Sequence, residues 1–338
     1  MAAAIRLLAA GHAVVLEGPD PGLDLGLDAE SRGAGRASGF VFDEGPALIT
    51  APWLIQELFD LSGRATADYV RLVPLDPFYD VRFDDGTVFR YSAHHDDIVR
   101  QIRQRSLKDV RGYLRYRDAA ARVFDTAGNR EPSAERLVQA CIRDPRLRQV
   151  FTATLRLTGA TPFHPASTHT LEQRWGVWFP LGGTRALKAA LLRLVDELGG
   201  AAHVTPAPVN ASVGAQPQSS GRLAAQLSVM SFGTDCQYVD MAHHTILLGA
   251  NAWMYVHRPS ATDRSLAPSG CDSLSIMTPI QDRDSIVHFL EAHGLPSLSR
   301  HIVAEGRLKG VGAGDSPGTG LPGALDAGRR HAIQMSGS

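Results

Sequence analysis

Residues 2–17 read AAAIRLLAAGHAVVLE. Ala, Leu and Arg favour helix, so Ala2 to Ala10 is expected as a short helix with Gly11 as its terminator. Ala13 to Leu16 then form a buried apolar run closed by Glu17, giving the order helix, tight turn, strand, acid. In a dinucleotide-binding unit a carboxylate at that point accepts hydrogen bonds from the two hydroxyls of an adenosine ribose, which makes Glu17 the first candidate binding residue. The strand and the G-x-G-x-x-G turn that open such a unit are missing, because the chain starts inside the helix.

Outward from this stretch, a loop rich in Gly, Pro and Asp runs from Gly18 to Gly35. Gly35, Arg36 and Ala37 follow, a small-residue approach with an Arg suited to a pyrophosphate. Gly39 to Glu44 alternate as a strand would, ahead of a turn at Gly45 and Pro46. Pro52 to Leu61 predicts a helix with Leu54, Ile55, Leu58 and Leu61 on one face and Gly63 as its stop. Tyr69 to Tyr91 reads as short strands around the turn Asp85–Gly86, with Val81, Phe83, Val88 and Phe89 as apolar sites. Asp96 to Phe124 is helical and highly charged, a solvated face. After Trp175, the stretch WGVWFPLGG leads into a helix whose Leu187, Leu191, Leu194, Val195 and Leu198 share one face, ended by Gly199 and Gly200. Pro206 to Gly221 has no periodicity and reads as a loop.

The 338 residues suffice for about two domains, and a formal net charge of -1 supplies no basic field for nucleic acid. Three cysteines in this length exclude a disulfide scaffold and point to a reducing compartment, and Cys141, Cys236 and Cys271 form no C-x-x-C pair for a structural zinc site or a redox dithiol. The apolar N-terminus lacks a basic leader and is interrupted at Arg6, Gly11 and His12, so neither a signal peptide nor a membrane span is expected. Gly314 to Gly318 match G-x-S-x-G formally, but Pro317 has no N–H to offer an oxyanion, so a serine hydrolase is set aside. His94–His95 and His243–His244 are adjacent pairs, which diverge on a helix or a strand, and H-E-x-x-H does not occur. No metal site is expected. Trp175, Trp178 and Phe179 are core residues or a ligand wall. The C-terminal stretch LKGVGAGDSPGTGLPGALDAG crowds glycines ahead of a helix, as a phosphate or a flat ring requires.

Taken in order, AAIRLLAAGHAVVLE, GRASGFVFDEGPALIT, WGVWFPLGGTRAL, HHTILLG, SLAPSGCDSL and VGAGDSPGTGLPGAL resemble the bacterial and fungal type phytoene desaturases. These are FAD-dependent carotenoid desaturases of the amine-oxidase-like flavoprotein group. The resemblance implies an α/β fold: a Rossmann-like FAD-binding domain with an interleaved α+β substrate domain, here without its first strand and Gly-rich turn. The implied FAD-binding segments are residues 1–67, 182–229 and 306–338, and the substrate-domain segments are 68–181 and 230–305. Glu17 would hold the adenosine ribose, Gly35, Arg36 and Ala37 the pyrophosphate, and Gly45 and Pro46 the flavin side. Gly312, Ala313, Gly314, Gly320 and Pro322 would pack near the pyrophosphate, ribityl chain or isoalloxazine. Trp175, Trp178 and Phe179 are substrate-domain candidates, with Trp178, Pro180 and Gly182 where that domain returns to the cofactor.

The implied activity is desaturation of phytoene or a related polyene by hydride transfer to flavin, with a quinone or oxygen as the final acceptor. The implied location is cytoplasmic, peripherally on a membrane surface that supplies the substrate. No acid or base residue is assigned. Against the family pattern the chain is short, with gaps expected near Gly128 and Asn129, in Pro206 to Ser228, near Ala250 to Trp253 and around Glu305 to Leu308. Two alternatives stay open: another amine-oxidase-like FAD oxidoreductase of the isomerase or ketolase type, and an inactive truncated desaturase acting as a lipid-surface binding protein.

Overall fold

The computed structural model describes residues 1–19, 39–43, 48–126, 134–154, 165–205, 227–306 and 309–311. Helix α1 (Ala2–Ala9) turns at Gly11, φ 87°, and leads to strand β1 (Val15–Pro19). Two details differ from the sequence expectation. Side chains alternate along an extended chain, so Val14 and Leu16 meet the core while Val15 is 55% exposed. Glu17 lies at the centre of β1, not at its end, because pairing continues through Pro19 in parallel register with β6 (Ala201–Thr205).

Helix α2 (Pro52–Asp60) begins with Pro at its first position, where the missing N–H is not needed. Its Leu54, Ile55, Leu58 and Phe59 share one core with Ile5 and Leu8 of α1 and with Leu187, Leu191, Leu194 and Val195 of α8 (Gly183–Glu197). Burying each such side chain contributes roughly 1.5–3 kcal/mol. Leu61 does not join this face: α2 ends one residue earlier, Leu61 is half exposed, and Phe59 takes its place.

A second sheet orders its strands β11-β7-β10-β9-β8-β3-β4, with β12 also on β7. These are β3 (Tyr79–Phe83), β4 (Val88–Tyr91), β7 (Leu227–Thr234), β8 (His244–Leu248), β9 (Trp253–His257), β10 (Asp272–Thr278), β11 (Ile302–Glu305) and β12 (Lys309–Val311). The β3–β8 pair is parallel and the others antiparallel, so the sheet is mixed. The expected gap at Ala250 to Trp253 is a tight connection, with the Gly249 N–H donating to the Ala252 carbonyl and Leu248 paired with Trp253. Of the apolar sites expected around Asp85–Gly86, Val81, Phe83 and Phe89 are buried, whereas Val88 faces solvent.

Both faces of this sheet are covered, and the two-residue period sorts the side chains between them. Ile246, Leu248, Tyr255 and Met277 pack with a helical layer, while Leu247, Met254, Val256 and Ile276 pack with α9 (Arg283–Ala292) and α10 (Leu298–His301). The helical layer comprises α3 (His95–Arg105), α4 (Leu107–Thr126), α5 (Ala134–Cys141), α6 (Pro145–Thr152) and α7 (Pro165–Trp175). The expected single helical run thus breaks at Ser106, whose hydroxyl donates to Asp109 (2.7 Å). Buried Asp109 in turn accepts the backbone N–H groups of Arg143 (2.6 Å) and Asp144 (3.0 Å), fixing α4 to the start of α6. A short antiparallel pair, β2 (Leu72–Leu75) with β5 (Val177–Pro180), links the two cores.

Residues 39–43 are irregular, not the expected strand. They make single bonds instead of a ladder: the Val41 N–H donates to the Leu266 carbonyl (3.0 Å), and the Ser273 hydroxyl donates to the Val41 carbonyl (2.9 Å).

Candidate functional site

Two stretches singled out in the sequence, GFVFD and FPLGGT, meet at Asp43. Its buried carboxylate accepts the Thr184 N–H (3.1 Å) and the Thr184 hydroxyl, at the first turn of α8. A carboxylate there also complements the positive end of the helix. Gly182 and Gly183 reach this contact with φ of 85° and 77°, and a Cβ on Gly183 would stand 2.9 Å from the Asp43 carboxylate. The Gly182 N–H donates to Asp263 (2.7 Å). GFVFD, FPLGGT and the segment around Asp263 are therefore joined by direct bonds.

Behind Asp43 lies a trio of buried imidazoles. His244 opens β8 and is paired in register with His257, which closes β9, so both stand on the face of the sheet that Ile246 and Tyr255 share. His243 precedes β8 and escapes strand alternation: its ring meets that of His244 at 4.4 Å and that of His257 at 4.9 Å. The Nδ1 atoms contact the Thr262 hydroxyl (2.6 Å), the Tyr255 hydroxyl (2.7 Å) and the Asp43 carbonyl (3.3 Å) for His243, His244 and His257 respectively. His243 Nε2 and His257 Nε2 are 3.1 Å apart. Burial holds all three well toward the neutral form, lowering each pKa. The expectation that adjacent histidines diverge fails for His243 and His244. A residue just outside the strand is free to turn back, and the cross-strand partner is 14 positions away in sequence.

A second polar cluster lies where α7 meets β3 and β4. Glu172 is buried, its pKa pushed up to about 8 by desolvation, and it accepts a long bond from the Tyr79 hydroxyl (3.4 Å). The Tyr91 hydroxyl bonds His169 Nδ1, and burial pushes His169 down to about 3. Glu172 Oε1 and His169 Nε2 have no partner among the described residues. Sequence reading passed over this pair; the signal was a His and a Glu three apart on one helix, hence on one face.

Of the sequence candidates, Glu17 is described in its backbone only. Gly35, Arg36, Ala37, Gly45, Pro46, Gly312, Ala313, Gly314, Gly320 and Pro322 lie outside the described residues, as does the G-x-S-x-G stretch. Phe179 is completely buried, with its ring 4.5 Å from that of His243. The Trp178 indole donates to the Trp175 carbonyl (2.6 Å), and half-buried Trp175 meets Trp53 and Phe124. Two surface clefts, of about 520 and 440 Å³, are rimmed by polar residues such as Arg90, Gln101 and Arg146, and neither is lined by a residue of these clusters.

No protein-family model matches the chain. Among solved structures the fold is similar to an oxidoreductase from Methanosarcina mazei, with TM-score 0.50 and 14% identity, covering 91% of this chain and 84% of that one. It is also similar to a Rab GDI from Plasmodium falciparum, with TM-score 0.56 and 7% identity, covering 91% and 86%. These likenesses define the class by fold alone, a mixed α/β protein of the kind that an oxidoreductase and a GDI share.

Sequence relatives are more specific. The lycopene-forming phytoene desaturase of Pseudescherichia vulneris is 30% identical over 413 aligned positions, covering 90% of this chain and 82% of that protein. That of Pantoea ananas is 29% identical over the same shares of the two chains. The chain belongs to the phytoene desaturase family. Because 413 positions exceed the 338 residues present, the relatives carry stretches that this chain lacks.

Proposed function

We propose that the chain is an FAD-dependent oxidoreductase of carotenoid biosynthesis that introduces double bonds into phytoene or a related polyene. One observation carries this reading: family likeness spans 90% of the chain, and the GFVFD and FPLGGT stretches quoted for it are bonded to each other through Asp43 and Thr184. The described residues fit a flavin nucleotide in one respect. A parallel strand pair, β1 with β6, stands beside α1 and α8, and two left-handed glycines let the backbone pass close at the start of α8.

In this reading Glu17 binds the adenosine ribose, and Gly35, Arg36 and Ala37 lie along the pyrophosphate. Gly45 and Pro46 approach the flavin, with Gly312, Ala313, Gly314, Gly320 and Pro322 against the pyrophosphate, ribityl chain or ring. Bound FAD supplies the hydride acceptor. The chain itself supplies orientation and an apolar, water-poor approach, with Trp175, Trp178 and Phe179 on the side where the substrate domain returns. Residues 1–67, 182–229 and 306–338 form the nucleotide-binding part, and 68–181 with 230–305 the substrate part. None of the described helices is long and apolar enough to cross a membrane. In this reading the polyene is taken from a bilayer surface in peripheral contact, and electrons leave to a quinone or oxygen.

Two measurements test this. Purified full-length protein is expected to carry a flavin absorbance band through gel filtration. Expression in a phytoene-accumulating cell is expected to give coloured polyenes. A folded, colourless, flavin-free chain that leaves phytoene unchanged overturns the proposal.

A further inference from the structure

The three buried imidazoles are more ordered than core packing requires. One ring nitrogen from each lies within 4.8 Å of those of the other two. Each Nδ1 has an oxygen partner, and the partner of His257 is a backbone carbonyl, which only accepts. His257 Nδ1 therefore carries the proton, and its Nε2 presents a lone pair. The Thr262 and Tyr255 hydroxyls can accept from Nδ1 of His243 and His244 in the same way. In that tautomer set all three Nε2 atoms are lone pairs with oriented rings, the arrangement in which metal-bound imidazoles are held by their outer partners.

Without a cation the three lone pairs cannot all be kept. His243 Nε2 and His257 Nε2 face each other at 3.1 Å, so one must take a proton and reverse its tautomer. His244 Nε2 is wholly buried and has no partner among the described residues. From these contacts we infer that His243, His244 and His257 hold one divalent first-row transition ion of the zinc and cobalt class. Nitrogen donors with neither thiolate nor free carboxylate select that class over Mg²⁺ or Ca²⁺, and the Asp43 carboxylate is already taken by Thr184. Metal–nitrogen bonds of about 2.0–2.1 Å set tetrahedral nitrogens roughly 3.3 Å apart. The His243–His257 pair already meets this spacing, and one ring nitrogen of His244 lies within 4.8 Å of a nitrogen on each of the other two, so that a small rotation of its ring completes the set. Three imidazoles leave a fourth position open. The ion would bind the start of β8 to the end of β9 and, through the outer partners, to residues 43, 255 and 262.

The inference stands apart from the desaturase reading, and its test reads metal alone. Full-length protein stripped with a chelator is titrated with Co²⁺, followed by ligand-field absorbance and by metal analysis after desalting. One equivalent with bands of four- or five-coordinate Co²⁺, displaced by Zn²⁺, is expected. His244→Gln and His257→Gln, checked for folding by circular dichroism, should weaken uptake by tenfold or more. If either fails to fold, Tyr255→Phe keeps the ring packing, removes the outer partner of His244, and should weaken binding by about 10-fold. The partly exposed group Asp235, Cys236 and His301 is the competing location. Folded wild-type protein that takes up no Co²⁺ overturns the inference. So does uptake that His301→Gln abolishes and the buried-histidine and Tyr255 variants leave intact.

Discussion

The carboxyl of Glu172 and the imidazole of His257 are both cut off from water, yet their neighbours differ in kind. Around Glu172 the partners are aromatic hydroxyls and one histidine on helix and strand faces, and two polar atoms go unmatched among the described residues. Around His257 each ring has an assigned oxygen on Nδ1, His243 Nε2 and His257 Nε2 face each other, and His244 Nε2 alone has no partner among the described residues. Burial alone shifts pKa values in both places. Only the second has the directed partners that convert a desolvated cluster into a pre-oriented donor set.

That contrast is open to measurement. Phe179→Ala removes a completely buried ring packed on His243 and should cost about 3–5 kcal/mol in denaturant unfolding. A loss under 1 kcal/mol would mean that the trio is not walled in by β5.

Glu172→Gln probes the other cluster through pH. The folded state holds the Glu172 proton more tightly, with pKa raised from 4.5 to about 8, so wild-type stability falls as pH rises through that window. Relative to wild type, the variant should gain up to about 5 kcal/mol by pH 9 and nothing below pH 4.5. His169 has the opposite sign: its pKa falls from 6.5 to about 3, so its contribution is complete above pH 6.5 and is lost on acidification. A flat difference between Glu172→Gln and wild type from pH 4 to 9 would contradict the buried, neutral carboxyl.

Asp43→Asn weakens the tie between residues 41–43 and α8 and should cost about 2–3 kcal/mol, since the bonds to Thr184 lose their charge assistance. Gly183→Ala meets both a left-handed backbone and the Asp43 carboxylate 2.9 Å away, and about 1–2 kcal/mol is expected. If thermal unfolding ranks Gly183→Ala above Phe179→Ala, the junction rather than the buried trio is the stiffer part of the site.

Much of the local structure was legible in the residues themselves. The helix α1, the turn at Gly11, the buried face of α8 and the stop at Gly199 all follow from spacing and from glycine. Leu61 and Val88 were misjudged because an apolar residue at the right period is buried only if its element continues and a neighbour covers it. The stretch 39–43 alternates as a strand does but found no strand partner there, so its polar groups bonded singly to Leu266 and Ser273. Of the candidate site, family membership was readable as ordered motifs, and the glycine-rich cofactor residues remain a proposal.

What the sequence determined alone is what short-range chemistry determines: helix faces, turn glycines and a motif order that names a family. What only the tertiary structure decided is which distant groups share one desolvated space. His243 and His257 lie 14 residues apart, Asp43 and Thr184 lie 141 apart, and Tyr79 and Glu172 lie 93 apart. Sheet register and core packing close those separations, and no periodicity along the chain encodes a contact whose partners it never places within a few turns of each other.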